Sequence, residues 1–404
     1  MKKWFNRLVW LTFALIPLSY PVALPGGWMI QFPSEMLISL LMAIVLPGFL
    51  AGNLPERKVL VHPISILLTL QLIVGFFSSI FSEVPLVAFK RVAIYFLYFT
   101  VFYVWPLRFF RDKKLILRYF WAVLAGLLVV VLITSVRHGF WGFEQRFAEA
   151  MPRPFFPDHT LYGGVIAFLF PFVVFGLKNL NYPLKKPLLY GLCALLFAGL
   201  FLSYSRGAWL SLGISAGVAG CWLIFSSCKW LKWLVTGSVL GVILLIFMLD
   251  PRGYYRENVS DQERINRWFC AVRLWKERPL LGWGPGTYQY VYGRYQNVEE
   301  MTRISTYQGN MGNAHSEYLG PLAETGILGG IIPLLVLFFS LRTGENLLRI
   351  KSRQNLIALG ILSGLVTFWI HGLMNAFLDQ DKMAVLVYGA LAALVVMEKF
   401  PEEL

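Results

Sequence analysis

The feature that most restricts the fold is a run of roughly 20 apolar residues, the length needed to cross a bilayer as a helix, repeated along almost the whole chain. Candidate spans are Leu8–Leu24, Trp28–Gly52, Ile64–Phe81, Leu86–Leu107, Leu115–Val136, Thr160–Leu177, Leu188–Ser203, Ala208–Ser226, Leu231–Leu249, Ile327–Leu341, Leu356–Phe377 and Met383–Met397. The second carries Pro33, Glu35 and Pro47 and the tenth is short, so these two fit the pattern least. Only 14% of the 404 residues are charged, against about 25% in soluble domains. The expectation is an all-α integral membrane protein of about 12 transmembrane helices.

Charge fixes the orientation. With the N-terminus inside, the inner connections collect Lys2, Lys3 and Arg7, then Arg108, Arg111, Lys113 and Lys114, then Arg342, Arg349, Lys351 and Arg353. The short outer connections hold far fewer basic residues, which is the positive-inside bias. That bias also gives the net charge of +14 a source other than nucleic acid, so no nucleic-acid partner is expected. MKKWFNR looks like the start of a signal peptide, but no small-residue cleavage site precedes the next span. The first helix is therefore expected to stay, with both termini cytoplasmic.

One long segment breaks the pattern. From Asp250 to Leu319 the chain turns polar, aromatic and basic, with nine Arg and Lys and eight acidic residues. The chain divides into helices one to nine (1–249), a large, partly helical periplasmic loop (250–318), and helices ten to twelve with a short tail (319–404). Long loops cross regardless of charge, so basic residues are allowed there, and a bound anion would give them work.

Several residues on this outer side stand out. Arg206, in SYSRGAW at the mouth between two spans, has a glycine and two serines beside it and suits close approach of an anion. A snorkelling arginine is the alternative. Arg264, Trp268, Ala271 and Trp275 recur at helical spacing, with Pro279 and Gly282 ending the helix; such a stripe is more often packing than a sugar platform. Arg267, Arg273, Lys276 and Arg278 lie mostly on other faces and are expected to be solvated or at headgroup level, while Trp268, Trp275 and Trp283 are candidates to stack on sugars. Gly282-Trp-Gly-Pro-Gly286 lacks a phosphate-loop pattern and reads as turns. His315, in Asn313-Ala-His-Ser-Glu, has the pKa range of a general base, although a lone histidine can be purely structural. No zinc-type spacing accompanies it, so no metal is expected. Asp158-His159 and Asp379-Gln-Asp381 lie at the same boundary, and Lys90 and Arg91, partly inside the membrane, suggest an anionic partner.

At these residues the chain resembles the O-antigen ligase and O-antigen polymerase family of bacterial membrane glycosyltransferases. The likeness rests on Ser205–Gly207 (SRG), the RxxxWxxA…PLLGWGPGTY run from Arg264 to Tyr288, and NAHSEYLGPLAETGILGG (Asn313–Gly330). FFPDHTLYGG (Phe155–Gly164) and HGLMNAFLDQD (His371–Asp381) extend it to roughly residues 150–395. The resemblance implies a GT-C-like enzyme of the inner membrane in lipopolysaccharide biosynthesis. It would transfer glycan from an undecaprenyl-pyrophosphate carrier to a hydroxyl of lipid A–core, without a metal, nucleotide sugar or other cofactor. Independently of the family, a neutral histidine on the face opposite the leaving pyrophosphate would give inversion by single displacement. Carried over by motif, Arg206 and Arg264 would bind the pyrophosphate and His315 would activate the acceptor. Lys90, Arg91, His159, Trp268, Asn313, Asp379 and Asp381 would be candidate donor or acceptor contacts. Asn375 stands where an acid is expected, which weakens any role for Asp379 or Asp381. Polymerase and protein O-glycosylation share the donor chemistry and stay open. A transporter of an anion or lipid-linked sugar is the reading from a different class, against which stands the gathering of candidates at one face rather than the midplane.

Overall fold

Proline and glycine set the first departure from a simple row of helices. Pro17, Pro21, Pro25, Gly26, Gly27 and Pro33 cluster where the first apolar run ends and the second begins, and proline inside a helix removes a hydrogen bond and clashes with the preceding turn. In the computed structural model, which describes residues 2–23, 25, 29–177, 185–224, 237, 259–306, 312–349 and 354–401, α1 (Lys2–Leu15) runs into a single 3-10 turn at Ile16–Leu18 and stops. The chain then forms an antiparallel hairpin, β1 (Tyr20–Ala23) with β2 (Met29–Phe32), Tyr20 opposite Phe32. The all-α expectation and the spans Leu8–Leu24 and Trp28–Gly52 are corrected accordingly. Apolar content alone did not reveal a strand that prolines force on it.

The helices that follow start where the chemistry says they should. After α2 (Ser34–Leu50), α3 (Pro63–Ile80) and α4 (Pro85–Phe109) each open on a proline, whose missing N–H costs nothing in a first turn. The His62 ring accepts from Ile64 N at 3.2 Å to cap α3. Asp112 accepts from Lys114 N at 2.8 Å to cap α5 (Lys113–Gly139). Next come α6 (His159–Leu177), α7 (Lys185–Leu202), α8 (Arg206–Ile224) and α9 (Val259–Glu277). The described chain ends with α10 (Leu319–Arg349), α11 (Gln354–His371) and α12 (Asp381–Lys399). The expected span Leu231–Leu249 and the loop residues Asp250–Asn258 lie outside the described residues, save Gly237.

The protein is mostly helical. Among the described residues α3, α4, α5, α8 and α10 are long and apolar enough to cross a membrane, and shorter apolar helices stand beside them. α12 carries charges at both ends, but Met383 through Met397 are buried on every face, the mark of a helix enclosed by others. It packs against α4, α10 and α11, while α11 lies along α6 and α8. The expected eleventh span ends early, at His371 rather than Phe377: Leu373 N and Met374 N close only three residues back, onto Ile370 O and His371 O at 3.2 and 3.1 Å, and the chain turns.

The expected tenth span is lengthened and broken. α10 bends at Thr325 and Gly326, the latter at φ 72° and ψ −161°. The loop after α9 lies alongside the break. Trp283 N and Gly284 N donate to Ala323 O and Glu324 O at 3.2 and 2.7 Å, and Ile327 N donates to Pro279 O at 2.8 Å. Gly282, Gly284 and Gly286 all take positive φ, so the Gly-Trp-Gly-Pro-Gly run is turn geometry fitted into a broken helix. A β-carbon on Gly282 would stand 2.4 Å from Glu324 C, which leaves glycine as the residue that fits.

Candidate functional site

The site is assembled at the starts of α8 and α9 and the segment entering α10. Between α7 and α8 the chain reverses through Tyr204 at φ 52°. Ser205 Oγ receives Ala208 N at 3.4 Å, capping α8. This puts Arg206 at the first turn with its side chain 68% exposed. Gly207 follows because no side chain fits: its β-carbon would lie 2.7 Å from His371 Nε2. His371, at the end of α11, is buried with neither ring nitrogen bonded, its ring against Phe377 at 4.8 Å.

α9 supplies the second arginine and something the sequence reading passed over. Asp261, one turn before Arg264, is buried and holds both arginines. Arg206 Nη2 lies 2.8 Å from its Oδ2 and Arg264 Nη1 lies 2.6 Å from its Oδ1. Arg264 Nε is buried and unpartnered. The two links differ in strength, because an ion pair to an exposed side chain is worth about 0–1 kcal/mol, and Arg206 is the exposed one.

The next turn of α9 is structural. Arg267 and Glu263 form a pair at 3.1 Å, both nearly buried, and Arg267 Nη1 donates to Asn313 O at 3.1 Å. Solvated faces were expected for the basic residues of α9 beyond Arg264. Arg267 corrects this, being committed to the core of the loop. Glu263 also accepts from Thr302 Oγ1 at 2.8 Å, so the Glu263–Arg267 pair ties α9 to the segments at Thr302 and Asn313. Trp283, expected as a sugar platform, is 2% exposed and donates to Leu274 O at 2.9 Å. It is core.

His315 sits on the segment that Arg267 and Trp268 hold. Trp268 Nε1 donates to His315 O at 3.4 Å, and His315 N donates to Asn313 Oδ1 at 3.0 Å. Its φ of 50° is uncommon for a residue with a side chain and marks functional sites disproportionately. Burial, then the Arg267 and Arg264 guanidiniums, push its imidazole down to about 3, so the ring is neutral near pH 7. Asp158 lies within electrostatic reach but is occupied in capping α6, accepting from Thr160 N and Leu161 N at 2.7 and 2.9 Å. His159 begins α6 half-buried, with Nδ1 unpartnered.

Two residues past His315, Glu317 ties this segment to the turn after α11. Its backbone N donates to Gly372 O at 2.8 Å, and its carboxylate accepts from Phe377 N and from Leu378 N. Burial outweighs those two donors and pushes the carboxyl up to about 7. That turn leads to Asp379, whose Oδ1 meets Arg91 Nη1 at 3.0 Å and Tyr95 OH at 2.8 Å. An anionic partner expected for Arg91 is thus found within the protein. Asp381 is buried beside Lys382 at 3.5 Å, and Lys382 Nζ donates to Ser19 Oγ at 2.8 Å. Lys90 is exposed on α4.

Arg206, Arg264, Trp268, Asn313 and His315 therefore converge, while Lys90, Arg91, Asp379 and Asp381 belong to a neighbouring group joined to them through Glu317. Asp261 and Glu317 were legible only as an acid one turn ahead of an arginine and an acid two residues past a histidine. One turn along α8 from Arg206, Trp209 lines an apolar cavity of about 560 Å³ with Phe170, Phe197, Phe201, Leu212 and Leu223. Among the described residues no three His, Cys, Asp or Glu side chains converge as metal ligands.

Residues 191–334 match the family model described as O-antigen ligase. The match covers less than half of the chain, takes in Arg206, Arg264 and His315, and supports the O-antigen ligase and polymerase family, whose members are glycosyltransferase-like membrane enzymes. No curated protein matches the chain.

Proposed function

Taking the O-antigen ligase match as premise, we propose that this protein transfers a glycan from an undecaprenyl-pyrophosphate carrier to a hydroxyl of lipid A–core, at the periplasmic face of the inner membrane. The observation that carries the reading is the meeting of Arg206 and Arg264 at one anion position, on the same helix that holds the His315 segment. Two guanidiniums bind phosphate oxygens through charge-assisted, bidentate hydrogen bonds. The apolar cavity beginning one turn from Arg206 suits the isoprenoid part of a lipid carrier.

The step balances with these groups alone. The acceptor oxygen bonds to the anomeric carbon as the bond from that carbon to the phosphate oxygen breaks. The acceptor's proton passes to the neutral His315 ring, and the electron pair leaves with the carrier diphosphate. Arg206 and Arg264 stabilise the charge that develops there. A ring held down to about 3 is a weak base in the empty site. Bound diphosphate would offset the arginine charges that depress it, and a nearby negative charge raises a histidine pKa. Donor binding would thus prepare the base. Attack from the face opposite the leaving group gives inversion.

The test is transfer by purified protein in detergent, given carrier-linked glycan and lipid A–core with EDTA present. Wild type should transfer and His315→Ala should not. Growth of the donor chain without use of lipid A–core would assign the polymerase reaction instead, and absence of transfer in folded wild type would sink the enzyme reading.

A further inference from the structure

We infer that Asp261 is an internal occupant of the diphosphate site, a carboxylate that holds the arginine pair together in the donor-free protein and gives way to the donor. The inference rests on the pyrophosphate-clamp reading above and adds a residue to it.

The geometry is that of a ligand rather than a lattice of scattered ion pairs. One carboxylate spans two guanidiniums from different helices, Oδ2 to Arg206 at 2.8 Å and Oδ1 to Arg264 at 2.6 Å. A phosphate group placed there would offer the same two oxygens, with others to spare. The site also has unused capacity, since Arg264 Nε is buried without a hydrogen-bond partner. A buried donor left unsatisfied is costly, and a carboxylate that already commits one oxygen to each arginine does not reach it. A diphosphate brings enough acceptors to serve all three positions.

The two arginines are also unequally held. Arg206 is 68% exposed and Arg264 21%, so the first can swing away from Asp261 and close on an incoming anion while the second stays. Asp261 is on the same helix as Arg264, one turn before it. It therefore remains beside the site after the donor binds, as a negative charge facing a diphosphate. That arrangement weakens donor binding, and it weakens product binding more where the leaving diphosphate has gained charge. Asp261 is a positioning residue, and its proposed effect is to keep the spent carrier from blocking the clamp.

The test uses the full chain in detergent and inorganic pyrophosphate as the probe, with binding followed by calorimetry in wild type, Asp261→Asn and Asp261→Glu. The expected result is about ten-fold tighter pyrophosphate binding for D261N, near wild-type binding for D261E, and loss of the gain when Arg264→Ala is added. In steady-state transfer, D261N should lower the donor KM and lower kcat together, as slow product release predicts. A structural role for Asp261 would leave the probe no tighter. Unchanged or weaker binding to folded D261N overturns the inference, as does failure of both wild type and D261N to bind. The clamp reading fails separately, if Arg206→Ala and Arg264→Ala keep wild-type donor KM and transfer rate.

Discussion

Arg206 and Arg264 grip opposite oxygens of one carboxylate, at 2.8 and 2.6 Å, although one begins an apolar helix and the other lies on the helix of the long polar loop. Their side chains are set unequally, and the inequality has a kinetic signature. Arg264→Lys should cut transfer by about 10²–10³-fold, the scale of losing one preorganised donor to a developing anion. Arg206→Lys should cost less and act mainly on donor KM. Initial rates against donor concentration check both.

His315→Ala should lower transfer by about 10²–10⁴-fold, the range for loss of a general base, with donor binding retained. His315 also leaves a mark on stability. Its folded pKa of about 3 lies below the unfolded value of 6.5, so the unfolded chain binds the extra proton. Stability from this residue is whole above pH 6.5 and falls as pH drops toward 3. In H315A the acid side of the unfolding midpoint against pH should be flatter than in wild type.

Glu317 predicts the opposite slope. Its folded pKa of about 7 is above the ordinary carboxyl value of 4.5, so its contribution is whole below 4.5 and is lost as pH rises through 7. Glu317→Gln keeps an oxygen for Phe377 N and Leu378 N without the buried charge. Its melting temperature should fall less than that of wild type between pH 6 and pH 8.5. An unchanged difference would detach Glu317 from the alkaline loss.

Gly207→Ala should impair the site without touching either arginine. The new methyl would meet His371 Nε2 at 2.7 Å, and the ring has no room, with Gly164 and Phe377 at its other faces. Overpacking of this kind costs about 1–3 kcal/mol. A lower melting temperature together with reduced transfer is the expected pair of results.

Trp283→Ala and Trp268→Ala should separate packing from contact. Trp283 fills the core of the polar loop, so its loss should cost about 3–5 kcal/mol of stability with no selective change in donor KM. Trp268 is half-buried and supports the His315 carbonyl; its loss should lower kcat more than it lowers stability. Chemical denaturation and steady-state transfer on the same preparations read both.

Much of this was legible in the sequence because bilayer thickness and side-chain polarity act locally. The apolar runs from Ile64 to Ser203 match helices closely, and Arg206, Arg264 and His315 stood out as polar groups at one boundary. Hydropathy is blind to backbone breaks, so the Tyr20–Phe32 hairpin was read as membrane helix until its prolines were seen at work. Asp261, Glu263, Arg267 and Glu317 were missed or misread for a different reason. Each looks solvated within its own segment, and each is buried by a partner distant in sequence. Trp283 erred the other way, since an aromatic residue in a polar loop looks like a platform until the loop is known to have a core.

The break at Thr325 and Gly326 decides whether the polar loop could ever be a separate module. The backbone groups that α10 leaves unpaired there are the ones that Trp283, Gly284 and Pro279 satisfy. Cutting the loop away would remove the Trp283 donor from Ala323 O, leave Glu324 O with the Ser78 hydroxyl, and strand the loop's own donors in turn. A soluble fragment of residues 259–318 would therefore lack part of its own scaffold. Transplanting specificity between relatives of this protein would require moving the polar loop and the start of the following helix as one piece.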